Sequence, residues 1–198
     1  MLRTLVRIIA LTAACTAALP VITAPALAKA HKASHTAKAS PKAAHSSAPA
    51  SSGKNKALGT FKDWSAYMKD DPTKKVCFAV SEPKSKNVSK GAHRGDPFFL
   101  VTRWSATLAL QPSTLVGFPQ APGSKAKVTI GTEKFDLFVD GDGAWMETED
   151  GDKKLLDSMR KGATLTVETA SARGAKSTDR YSLAGLAEAL DKLEEACK

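Results

Sequence analysis

The strongest constraint on the fold is the spacing of the apolar residues beyond position 61. They come in short runs in which apolar and polar side chains alternate, and glycine, proline and aspartate separate the runs. A period of two is typical of β-strands, because successive side chains point to opposite faces of a sheet. Several short strands at this spacing predict an antiparallel β-sandwich or barrel.

The predicted strands lie at 76–80, 98–104, 128–130, 135–139, 165–167 and a last segment that ends at 182. The run at 98–104 is the densest and suits a central strand. Gly131-Thr132 predicts a tight turn between two of the strands. The segment Asp140-Gly141-Asp142-Gly143 is similar to the start of a calcium loop, but Ala144 and Trp145 stand where that loop needs a ligand and a glycine. We therefore interpret it as a second hairpin turn.

Two segments have helical spacing instead. The first runs from about Lys153 to Lys161, with Asp152 placed to cap its start and Gly162 placed to close its end. The second follows Ser182, and its apolar residues recur every three or four positions, which predicts one buried stripe. That stripe consists of Leu183, Leu186, Leu190, Leu193 and Cys197.

The first 28 residues have the three parts of a secretory signal peptide. Arg3 and Arg7 form a basic start, an apolar run follows at 8–19, and Ala26-Leu27-Ala28 provides a cleavage site. The run is shorter than the roughly 20 residues that span a bilayer. We expect cleavage after Ala28, which makes the mature protein periplasmic, or surface-exposed or secreted. The alternatives are an uncleaved amphipathic anchor and a lipoprotein signal at Cys15.

Residues 29–60 consist mainly of alanine, lysine, serine, histidine and proline, and Leu58 is their only large aliphatic residue. Such a segment is expected to be a disordered leader, because it cannot bury enough apolar area to offset its ordering entropy. Its six lysines and absence of acids predict a weak electrostatic association with anionic envelope surfaces. Its histidines, His31, His35 and His45, are interpreted as solvated rather than as a metal site.

The folded domain is expected to span 61–198 and is nearly neutral. Of the 29 basic residues eight precede position 61, so 61–198 contain 21 basic and 20 acidic residues. A nucleic-acid-binding domain needs clustered cations on its folded surface, so no nucleic-acid partner is expected.

Signal cleavage would remove Cys15 and leave Cys77 and Cys197. Two cysteines in an exported protein predict one disulfide. Cys197 lies on the buried stripe of the second helix, and Cys77 points to the opposite face of its strand from Phe78. We therefore predict a C-terminal helix that lies across one sheet face and is stapled there by this disulfide.

Several short motifs follow one another along 61–198. They are Trp64 followed by Cys77, Gly95-Asp96-Pro97-Phe98-Phe99, Gly117-Phe118-Pro119, Gly141-Asp142-Gly143-Ala144-Trp145, Met159-Arg160-Lys161-Gly162, Ser171-Ala172-Arg173-Gly174, Asp179-Arg180-Tyr181-Ser182 and Ala196-Cys197. In this order they resemble the invasion-associated locus B (IalB) family of alphaproteobacteria. Ala175-Lys176 departs from the pattern, since such proteins often carry a hydroxyl residue after the glycine.

The resemblance implies an envelope protein with a signal peptide and an immunoglobulin-like β-sandwich. It supplies no catalytic residues, and a role in host-cell invasion belongs to pathogenic relatives. We expect a non-enzymatic protein that binds, or associates structurally with, an unidentified envelope or surface protein and carries no cofactor or metal. His93, the only imidazole of the domain, is interpreted as a loop residue. The alternative is a periplasmic enzyme that uses paired carboxylates.

Arginines supply the remaining candidate site. Arg173 and Arg180 flank a glycine-containing loop, where they can clamp an anion or brace the loop against Asp179. We favour bracing. Arg94-Gly95-Asp96 spells the tripeptide that integrins recognise, but Pro97 restricts Asp96 and the chain enters the sheet at once. We interpret the tripeptide as a strand-entry turn.

Overall fold

The computed structural model describes residues 55–69 and 75–198. The predicted signal peptide, Cys15 and residues 29–54 of the predicted leader lie outside them. The elements in chain order are β1 (Asn55–Phe61), β2 (Trp64–Lys69), β3 (Val76–Ser81), β4 (Ser85–Val88), β5 (Phe98–Arg103), β6 (Gln111–Leu115), β7 (Lys125–Ile130), β8 (Glu133–Asp140), β9 (Gly143–Trp145), α1 (Glu149–Lys161), β10 (Thr164–Ala170), β11 (Lys176–Ser182) and α2 (Leu186–Ala196). In the described part of the chain, neither helix is long and apolar enough to cross a membrane.

The strands form one antiparallel ladder in the order β1-β2-β3-β5-β6-β9-β8-β7-β10-β11-β4. Strand β8 joins its two halves, because it pairs with β7 along most of its length and with β9 at its end. The halves face each other, since the rings of Phe99 on β5 and Tyr181 on β11 lie 5.7 Å apart. The Trp64 indole N–H of β2 also donates to the Ser182 carbonyl of β11 at 3.0 Å. The predicted all-β fold with two short helices is confirmed.

Helix α2 fills one side of the core, as predicted. Its leucines Leu186, Leu190 and Leu193 are fully buried and the helix packs against β1, β2 and β3. Each buried leucine stabilises the packing by about 1.5–3 kcal/mol. The Cys77–Cys197 disulfide is present, with its Cα atoms 6.1 Å apart. Both the disulfide and the helix placement are therefore confirmed.

Helix α1 begins four residues earlier than predicted, at Glu149. The residue that caps it is Thr148, whose hydroxyl accepts a hydrogen bond from the Gly151 N–H at 3.1 Å. A hydroxyl cap followed by an acidic first turn is a favourable helix start, so the expected cap at Asp152 was wrong. Gly162 ends the helix as expected, and its N–H donates to the Ser158 carbonyl at 2.9 Å.

The predicted boundary between leader and domain also needs correction. Residues 55–60, assigned to the leader, belong to β1, which pairs with β2 along its length. Leu58 and Phe61 are partly buried against the core. Main-chain hydrogen bonds to β2 hold this largely polar segment, so it does not need a continuous apolar pattern of its own. The domain therefore begins by Asn55.

Candidate functional site

Three loops meet at one end of the sandwich and enclose an open hollow of about 640 Å³. They are the connections from β4 to β5, from β6 to β7 and from β10 to β11. We call it the basic hollow, and residues 89–93, 118–119 and 171–175 line it. Its volume lies in the range of small-ligand sites.

Hydrogen bonds between the loops give the hollow a defined shape. The Ser171 hydroxyl accepts from the Ala175 N–H at 3.0 Å and closes the β10–β11 turn. The Ala172 N–H donates to the Pro119 carbonyl at 2.9 Å, which ties this turn to the second loop. The Ser89 hydroxyl accepts from the Lys176 N–H at 2.9 Å and ties in the third.

A buried ion pair anchors the loop that carries His93. The Arg94 guanidinium donates to both carboxylate oxygens of Asp179 on β11, with one bond at 2.6 Å. The two side chains are only 6% and 1% exposed. The hydrogen bonds and charge of Asp179 raise the pKa of Arg94. The guanidinium also lies 6.0 Å from the ring centroid of Phe118, so the pair supports one wall of the hollow.

This pairing settles how the integrin-like tripeptide is used. Arg94 faces inward, and the Gly95 N–H donates to the Gly117 carbonyl at 2.8 Å. Gly117 has a φ of 77°, and a Cβ there would lie 2.3 Å from the Gly95 carbonyl oxygen. The segment is a strand-entry turn, as predicted, because the buried Arg94 is not presented for adhesion.

The structure separates the two predicted arginines. Arg173 is exposed and lines the basic hollow. Arg180 is exposed on β11 and is not among the lining residues. The preferred bracing interpretation was wrong for both, because Arg94 is the residue that braces Asp179. The anion interpretation remains a prediction for Arg173.

The titratable side chains that line the basic hollow are all basic. Lys90, His93 and Arg173 are all exposed, and the lining residues include no aspartate or glutamate. Phe118 and Pro119 provide an apolar wall. Focused positive potential of this kind attracts anions, and lysine and arginine bind carboxylate or phosphate oxygens directly. Sequence reasoning identified Arg173 but missed Lys90 and Phe118, which only the fold brings near it.

The remaining candidates lie elsewhere. Gly141, with a φ of 60°, forms the turn between β8 and β9, so the hairpin interpretation of the calcium-like segment is confirmed. Asp152 is buried and one of its carboxylate oxygens has no hydrogen-bond partner. Burial, with a smaller contribution from the charge of Glu149, raises its pKa to about 6. Asp152 does not line the basic hollow, so its perturbed carboxyl supplies no acid or base there.

Comparisons with known proteins agree with the motif analysis. Residues 113–194 match the family model for the Invasion associated locus B (IalB) protein. The crystal structure of invasion associated protein B from Bartonella henselae is similar, with a TM-score of 0.52 and 18% identity over 70% of this chain and 95% of that chain. No curated protein matches. The family match over residues 113–194 and the shared fold confirm the resemblance to the IalB family that the motifs indicate.

Proposed function

We propose that this protein is an exported, non-enzymatic envelope protein that binds an anionic partner at the basic hollow. The single observation that carries the proposal is the convergence of Lys90, His93 and Arg173, from two separate loops, on one cavity lined without acids. Their exposure leaves them accessible to a partner. The buried Arg94–Asp179 pair and the hydrogen bonds between loops hold this surface in place before binding, which reduces the entropy lost on association.

The chemistry around the hollow favours binding over catalysis. A general acid or base must lie within hydrogen-bond reach of the group it serves. The carboxyl with a raised pKa, Asp152, belongs to α1 and is absent from the lining of the hollow. His93 has no carboxylate beside it in that lining. The three basic groups are therefore suited to hold an anion rather than to transform it.

Export is the second part of the proposal. The basic start, apolar run and Ala26-Leu27-Ala28 site support secretion with cleavage after Ala28. The disulfide is consistent with an oxidising compartment. The lysines of residues 29–54 would then add a weak attraction to anionic envelope surfaces. N-terminal sequencing of the protein from its native host should give Lys29, whereas Met1 or a lipid on Cys15 would contradict this route.

A comparative capture experiment tests the binding function. The mature chain, a Lys90→Glu/Arg173→Glu variant and a Lys127→Glu/Lys134→Glu control are incubated with envelope extract. Both pairs of residues are exposed, but the control pair lies on β7 and β8, away from the hollow lining. We expect a partner retained by the wild type and the control but lost from the hollow variant. Equal capture by all three proteins would contradict the proposal.

A further inference from the structure

The strand next to the basic hollow lies at the edge of the sheet. Strand β4 pairs with β11 and is the last strand of the ladder in the described part of the chain. Ser85, Lys86 and Asn87 are exposed, and Val88 is partly buried. An edge strand offers unpaired main-chain donors and acceptors along its outer side.

The pairing register shows which main-chain groups face outward. The Ser89 N–H donates to the Lys176 carbonyl of β11 at 2.9 Å. Main-chain groups alternate in direction along an antiparallel strand. Asn87 and Ser85 therefore direct their N–H and C=O groups towards β11, whereas Lys86 and Val88 direct theirs to the open edge. These two residues can pair with one further strand.

The charge of this edge selects the kind of strand. Residues 83–93 contain Lys84, Lys86 and Lys90 and no acid. The ion pairs of Lys84 with Asp63 and of Lys86 with Asp96 leave these lysines 58% and 41% exposed. Edge lysines discourage pairing with a second copy, since identical edges repel. The same charges favour a strand that carries carboxylates.

The edge leads directly into the basic hollow. The residues that follow β4, from Ser89 to His93, form one side of its lining, and Arg173 stands on the opposite loop. A peptide extended along β4 would therefore pass from the main-chain donors of Lys86 and Val88 to the cations of the hollow. Main-chain hydrogen bonds would supply affinity, and the lysines would select acidic side chains.

We propose that an extended acidic peptide segment of a partner protein adds to β4 as a further strand and places carboxylates in the basic hollow. This inference rests on the proposed function and names the class of its partner. The occupant is a polypeptide, because a free anion would use the hollow but not the main-chain groups of the edge.

The test uses the mature chain and a capped hexapeptide of alternating glutamate and threonine. Two-dimensional amide NMR should show shifts at 85–93 and 171–175, and slower hydrogen exchange of the Lys86 and Val88 N–H groups. A lysine–threonine peptide of equal length should bind at least about tenfold more weakly, as should a glutamate–threonine peptide N-methylated at alternate residues. The last comparison changes no residue of the protein.

Two variants test the same point from the protein side. Val88→Pro removes one outward N–H and should weaken binding of the glutamate–threonine peptide at least about tenfold. Val88→Thr keeps the N–H and a β-branched side chain and should bind like the wild type. The N-methylated peptide gives an independent result if Val88→Pro does not fold.

Failure of this inference differs from failure of the proposed function. If the N-methylated and unmodified peptides bind equally at the hollow, strand addition is overturned, while anion binding at the hollow stands. If neither the peptide nor free glutarate shifts the amides of 89–93 and 171–175, both are overturned.

Discussion

Breaking the Arg94–Asp179 pair should lower the free energy of unfolding more than breaking any exposed ion pair of this domain. The Asp179→Asn variant keeps the size of the side chain but leaves a guanidinium that is only 6% exposed without its counter-ion. Removal of one partner from a buried pair costs about 3–5 kcal/mol, because the remaining charge is neither hydrated nor neutralised. A domain of this size has only about 5–15 kcal/mol of net stability.

The loss should appear as a fall in Tm of about 10–20 °C and a matching change in the urea midpoint at an unchanged slope. The double variant Arg94→Met/Asp179→Leu removes both charges and should recover much of the loss, because neither desolvated charge remains. A thermodynamic cycle over Arg94→Met, Asp179→Leu and the double variant measures the coupling between the two side chains.

The exposed pair Lys86–Asp96 serves as the matched control. The Lys86 ammonium lies 3.0 Å from a carboxylate oxygen of Asp96 in the same region of the chain, but the two side chains are 41% and 66% exposed. Lys86→Met/Asp96→Asn should change the free energy of unfolding by no more than about 1 kcal/mol. The reasoning is refuted if Asp179→Asn costs as little as this control, or if the Arg94 and Asp179 single variants are simply additive.

Four other perturbations test separate parts of the structure. Reduction of the disulfide, or Cys197→Ser, should lower the Tm by many degrees and yet leave a β-rich circular dichroism spectrum at room temperature, since closing a 120-residue separation contributes about 4–5 kcal/mol. Asp152→Asn should stabilise the domain above pH 6, by at most about 3 kcal/mol in urea unfolding. The stability gained by Asp152→Asn should decrease as the pH falls from about 6 towards 3.8. Burial raises the folded-state pKa of Asp152 to about 6, and only its charged form is destabilised by burial. Gly117→Ala should destabilise clearly more than Gly123→Ala, since both have a positive φ, near 77° and 73°, but only the first would meet a backbone oxygen; equal urea midpoints would contradict this. A chain that begins at Asn55 should melt within about two degrees of the mature protein, whereas deletion of β1 should lower the Tm further.

Several features of the domain followed from local pattern alone. The alternation along 76–80 and 135–139 predicted strands because it reports side-chain direction, which does not depend on the neighbouring strands. The leucine stripe predicted α2 for the same reason, with a period near 3.6. The cysteine pairing followed from the count of thiols in a chain that is predicted to be exported.

The edge strands β4 and β1 could not be predicted from the local sequence pattern. Strand β4 has the sequence Ser-Lys-Asn-Val, and six of the seven residues of β1 were assigned to the leader. Strands at an edge are stabilised by main-chain hydrogen bonds to a single neighbour and bury little side-chain area. Composition therefore carries no signal for them.

The sequence by itself determined the β class, the helix stripe, the disulfide and the family resemblance, because these depend on periodicity, residue counts and motif order. The tertiary structure alone decided the partner of Asp179 and the composition of the basic hollow. Lys90, Phe118 and Arg173 are separated by up to 83 positions, and only the folding of one ladder onto itself brings their loops together. Arg94 rather than Arg180 reaches Asp179 because Arg180 is exposed on β11, whereas Asp179, next to it on that strand, is buried.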